Sequence, residues 1–118
     1  MDSTGYKHIN LEYLYEIADN ETDFVKEIIN DYLTSVPGQF VELEKAVSTQ
    51  DKESTKFIAH KMKSAFQFMG VQTLVELSQQ MEKAEDENAL DVYKQNIGLM
   101  KPIVERVLVE LEDKLTSL

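Results

Sequence analysis

The sequence contains no cysteine, and this removes disulfides, thiol chemistry and thiolate metal sites at once. Glycine (4) and proline (2) are scarce, so the 118 residues offer few turns and little to interrupt long helices. Positive charge is in short supply: 12 Lys and Arg against 22 Asp and Glu give a formal net charge of -10. Such a chain repels nucleic-acid phosphates and anionic lipid, so neither nucleic acid nor membrane is an expected partner. No apolar run approaches the roughly 20 residues that span a bilayer. The first residues, Met1 to Gly5, lack the basic-then-apolar pattern of a signal peptide. A cytoplasmic protein is the expectation. No Gly-rich phosphate loop or nucleotide fingerprint is present, so ATP-dependent kinase activity is not expected.

What is present is helical periodicity. Hydrophobic residues make up 42% of the chain, enough for one packed core in a single domain spanning 1–118, with 1–8 expected to form a flexible arm. Short polar breaks at Asp19–Asp23, Ser48–Asp51, Gly70 and Glu85–Asn88 separate the apolar stripes. Ile9, Leu11, Leu14 and Ile17 suggest a short first helix. Phe24, Ile28, Tyr32, Val36, Phe40, Leu43 and Val47 suggest a second, kinked at Pro37. A third is expected from about Ser54 to Met69, a fourth around Leu74–Met81, and a long fifth from Leu90 to Leu115, with a bend plausible at Gly98 and Pro102. The fold class is all-α: an antiparallel four-helix bundle with a short extra N-terminal helix.

The third segment carries the chemistry. On a helical wheel Ile58, Met62, Ala65 and Met69 form one stripe, flanked by Phe66 and Phe68. Lys56, His60, Lys63, Ser64 and Gln67 gather opposite. His60 therefore faces solvent between two lysines, a local reversal of charge suited to a phosphoryl group. Taken alone, a surface histidine on a helix is more often idle than functional. His8, the other histidine, has no acid cluster near it in sequence. Two histidines without cysteine make a zinc site improbable, and no carboxylate pair stands out as an acid/base couple.

Ala59-His60-Lys61-Met62-Lys63-Ser64-Ala65, closed by Gly70, resembles the signature of the histidine-phosphotransfer (HPt) family. In that motif an apolar residue lies two after the histidine, a lysine three after, small residues follow, and a glycine lies ten after. Leu74 to Glu82 resembles the family's next helix, and Tyr32 to Pro37 with Leu43 and Asp51 its preceding helix and turn. Ser64 stands where glycine is frequent, and Phe66 and Gln67 are bulkier than the family's usual small residues.

The resemblance implies a phosphorelay intermediate. His60 would accept a phosphoryl group from a receiver-domain aspartyl phosphate and pass it to another receiver. Lys63, and Lys56 beside it, would offset the phosphoryl charge, and Ser64 and Gly70 would keep the docking surface low. Gln79 or Glu82 would hold the ring's other nitrogen, and Phe57 or Phe68 would supply an apolar rim. The chain itself would bind no metal, Mg2+ being held by the partner receiver of a response regulator or hybrid kinase. A monomer is expected. The rival readings are an HPt-like adaptor that binds receivers or kinases without transferring phosphate, a helical adaptor with an apolar groove, and a kinase dimerisation helix pair, which would need an adjoining ATP-binding domain.

Overall fold

The computed structural model describes residues 6–118, and these form five α-helices with no strand among them. They are α1 (Glu12–Ile17), α2 (Thr22–Ser48), α3 (Lys52–Phe68), α4 (Gln72–Lys83) and α5 (Ala89–Ser117). The four longer helices close into an antiparallel ring. α3 packs between α2 and α4, and α5 completes the circuit against both α2 and α4.

Turn chemistry sets the helix ends. α1, α2 and α3 all stop with one paired hydrogen-bond pattern, in which the two residues after the cap reach back to the last turn. The bonds run from Asp19 and Asn20 to Glu16 and Tyr15, from Gln50 and Asp51 to Val47 and Ala46, and from Gly70 and Val71 to Gln67 and Phe66. Each pattern needs a left-handed residue, supplied by Asp19, Gln50 and Gly70. Asp51 then opens α3: its side chain accepts the Ser54 amide at 3.1 Å and the Ser54 hydroxyl at 2.8 Å. Those bonds hold the Asp51 carboxyl below its ordinary value.

The core runs the length of the bundle. Val25, Ile29, Val36 and Leu43 of α2 meet Met62 and Phe66 of α3, Leu74 and Met81 of α4, and Tyr93, Met100, Val107 and Leu111 of α5 in one buried cluster. Each such side chain contributes roughly 1.5–3 kcal/mol through burial. Two details differ from the sequence expectation. In α2 the buried stripe passes through Val25 and Ile29, and Phe24 is exposed. In α3 Phe66 is fully buried in the stripe itself, and Ala65 sits at its edge. Both prolines lie inside continuous helices, at exposed positions. The carbonyl that Pro102 leaves unpaired belongs to exposed Gly98, where water can bond to it.

Residues 1–5 of the expected arm lie outside the described residues. Tyr6, Lys7 and His8 are hydrogen-bonded to Asp113 and Glu110 of α5. Ile9 and Leu11 are buried ahead of α1, which begins only at Glu12.

Candidate functional site

α3 buries Thr55, Ile58, Ala59, Met62 and Phe66, a spacing of three and four that fixes the helix's rotation. Lys56, His60 and Lys63 fall on the next row, along the flank that α4 adjoins. The His60 side chain is 64% exposed. Across the groove, α4 buries Leu74, Leu77, Ser78 and Met81 and so brings Glu82, in its last turn, to the same flank.

Three of the expected residues meet here. One Glu82 oxygen lies 2.5 Å from His60 Nδ1, and the other lies 2.6 Å from Lys63 Nζ. A carboxylate near a helix C-terminus faces the negative end of the helix dipole, so Glu82 needs such cationic company. Burial pushes the Glu82 carboxyl up, but the hydrogen bonds and charge of Lys63 and His60 outweigh it and leave it below its ordinary value. Glu82 is therefore ionised at neutral pH and can only accept hydrogen bonds. The short contact then places the imidazole proton on Nδ1. In the neutral ring this leaves the lone pair on Nε2.

The remaining expected residues are dispersed. Lys56 is half-buried and forms no ion pair among the described residues, so only one of the two lysines is engaged with the carboxylate. Ser64, Gln67 and Gln79 are exposed, and none of them hydrogen-bonds to the ring. Phe57 is exposed beneath the Lys61 ammonium, 5.3 Å from its ring centroid. Phe68 is half-buried and stacks on Tyr13 of α1.

Gly70 lies ten residues from His60, roughly 15 Å along the helix. It closes α3 at φ +71°, and a Cβ there would sit 2.1 Å from the Asn10 carbonyl oxygen. The close approach of residue 10, whose amide bonds to the Met69 carbonyl at 2.9 Å, explains why this turn takes glycine while the other two take Asp19 and Gln50. The local reversal of charge is likewise more compensated than the α3 lysines suggest, because Glu82 stands between Lys63 and the ring.

The family model of the Hpt domain matches residues 27–118, more than half of the chain, and the match contains the whole His60–Lys63–Glu82 cluster. This chain belongs to the Hpt family. Hpt domains are helical phosphotransfer intermediates of two-component signalling, phosphocarriers that interact with receiver domains. Comparisons with the curated proteins and with the solved structures return no match. The segment before α1, and α1 itself, precede the matched Hpt span. Among the described residues no cluster of three or more His, Asp or Glu side chains is placed to hold a metal ion, and no helix is long and apolar enough to cross a membrane.

Proposed function

We propose that this Hpt domain carries a phosphoryl group on Nε2 of His60, taken from the aspartyl phosphate of one receiver domain and delivered to the aspartate of another. The observation that carries this reading is the 2.5 Å contact between Glu82 and Nδ1, which leaves the exposed Nε2 as the nucleophile. In the forward step the Nε2 lone pair attacks phosphorus, the bond from phosphorus to the aspartyl oxygen breaks, and the aspartate leaves as a carboxylate. The ring, still protonated on Nδ1, becomes cationic, and the Glu82 carboxylate stabilises that charge where it develops. Delivery to the next receiver reverses the electron flow.

Lys63 serves this site in two ways. Its ammonium neutralises Glu82 and fixes the carboxylate's position, and its remaining N–H donors are available to the phosphoryl oxygens. Mg2+ for the transfer belongs to the acidic pocket of the receiver, and this chain supplies no ATP-dependent step. Phe57 and Lys61 give the docking face an apolar and cationic rim beside His60. The protein works in the cytoplasm, as a monomer.

The test is transfer itself. A panel of receivers phosphorylated on aspartate by a small donor is mixed with wild type and with His60→Ala. Acid-labile, base-stable label on wild type alone supports the carrier. Binding without label on wild type favours an adaptor that docks receivers and transfers nothing.

A further inference from the structure

At the far end of α5 from Ala89, one carboxylate collects an unusual set of donors. Glu110 accepts the backbone N–H of Lys7 at 3.2 Å, of His8 at 3.1 Å and of Ile9 at 3.0 Å. Its Oε2 also lies 3.1 Å from Nδ1 of His8. Three successive backbone amides converging on one anion form a nest, a concavity that ordinarily captures a free phosphate or carboxylate. Here the anion is tethered to the helix. One turn on, Asp113 accepts the Tyr6 hydroxyl at 2.7 Å. The segment so held continues into Ile9 and Leu11, which are buried, and into Asn10, which sits on the end of α3.

We propose that Glu110 is a clasp that shuts the segment 6–9 onto α5, and that protonating this carboxylate opens the segment while the four-helix bundle stays folded. An ionised carboxylate can accept four hydrogen bonds through its two oxygens, and a protonated one loses acceptor sites and gains a donor. The segment has no helical hydrogen bonds of its own to fall back on. The bundle, by contrast, draws most of its buried cluster from α2, α3, α4 and α5, to which the segment adds Ile9 and Leu11. Opening exposes Ile9 and Leu11 and frees Asn10 from the end of α3.

Several groups surround the clasp. The segment contributes Tyr6, Lys7 and His8, α5 contributes Arg106, Asp113 and Lys114, and α1 contributes Tyr15. Burial pushes the Glu110 carboxyl up, but the amides of Ile9, His8 and Lys7 together with the His8 ring outweigh it and hold it below its ordinary value. The clasp is therefore shut at neutral pH and opens as pH falls through that depressed value. The Tyr6 hydroxyl, raised to about 12 by burial and by Asp113, does not release at alkaline pH short of that value.

The experiment is amide hydrogen exchange by NMR on the full chain, expressed as protection factors to remove the intrinsic pH dependence. At neutral pH, Lys7, His8 and Ile9 are expected to be protected at least about tenfold, the size of one charge-assisted bond at the weak end of its range. That protection should vanish on acidification while Met62 and Val107 stay protected, and Glu110→Gln should lack it already at pH 7. Loss of the segment's protection only together with that of the bundle would overturn the proposal, as would full protection in Glu110→Gln. If that variant does not fold, the carboxyl carbon-13 titration of Glu110 in wild type decides. Its midpoint must coincide with the loss of amide protection, and a separate midpoint sinks the clasp.

Discussion

The Glu82 carboxylate lies 2.5 Å from Nδ1 of His60, and in the proposed transfer this one contact decides which ring nitrogen reacts. A neutral imidazole exchanges its proton between two nitrogens unless a partner fixes it. An ionised acceptor across the groove fixes it on Nδ1 and turns the lone pair of Nε2 to solvent.

Replacing Glu82 should therefore cost rate more than binding. Glu82→Ala removes a charge-assisted hydrogen bond worth about 1.5–3 kcal/mol, which corresponds to roughly a 10- to 100-fold slower transfer from a phosphorylated receiver. Receiver affinity, measured by titration calorimetry, should change little. Nitrogen-15 shifts of the His60 ring should move from one fixed tautomer toward a mixture. Unchanged ring shifts in the variant would show that Glu82 does not set the tautomer.

Lys63→Ala should act partly through Glu82. Without the ammonium 2.6 Å away, the carboxyl loses its first counter-charge and its pKa rises toward the ordinary range. Carbon-13 NMR of the Glu82 side chain reads that movement directly. A downward movement would contradict the pairing.

Gly70→Ala tests the turn against the site. A left-handed backbone at a residue with a Cβ costs on the order of 1–3 kcal/mol, and the 2.1 Å approach to the Asn10 oxygen adds to it. Urea denaturation should show a loss of at least this size. Transfer measured well below the melting temperature should fall far less than in Glu82→Ala, because the turn is remote from His60. Equal loss of transfer in both variants would return Gly70 to the docking surface.

Acid should weaken the fold through three carboxyls, Asp51 at the start of α3 and the two glutamates of the paired clusters, Glu82 and Glu110. Glu82 and Glu110 both titrate lower in the folded chain than an ordinary carboxyl does. Their stabilisation is complete above the unfolded value, about 4.3, and is lost as pH falls through the folded values. Protonation also relieves the repulsion of a chain at -10, which works in the other direction. The informative quantity is thus the stability of wild type minus that of the Glu82→Gln, Glu110→Gln pair. It should shrink as pH falls below about 5. A difference that grows below that pH would reverse the assigned shifts.

Much of this was legible in the sequence, for identifiable reasons. The helices and the solvent-facing His60 follow from apolar residues three and four apart, a signal that one strand of text carries completely. The α2 register was less legible because Phe24-Val25 and Ile28-Ile29 offer two adjacent stripes, and only packing against α3 and α5 chooses Val25 and Ile29. Glu82 was one of two candidates for the ring, alongside Gln79. Their positions three apart place both near one flank, and only the crossing of α3 and α4 selects between them. Gly70 read both as a break after α3 and as part of the motif; the approach of Asn10 that makes glycine necessary there joins residues sixty apart and leaves no local trace. The clasp at Glu110 joins residues about a hundred apart and leaves no local trace.

The central claim is that Nε2 of His60 holds the phosphate, and one measurement reads it directly. The chain, labelled with nitrogen-15 in its histidines, is charged by a phosphorylated receiver, and the ring is observed by NMR with phosphorus coupling. The expected result is a coupling to Nε2 of His60, with the proton of Nδ1 retained against Glu82. Phosphate on Nδ1, on His8 or on no histidine would contradict it.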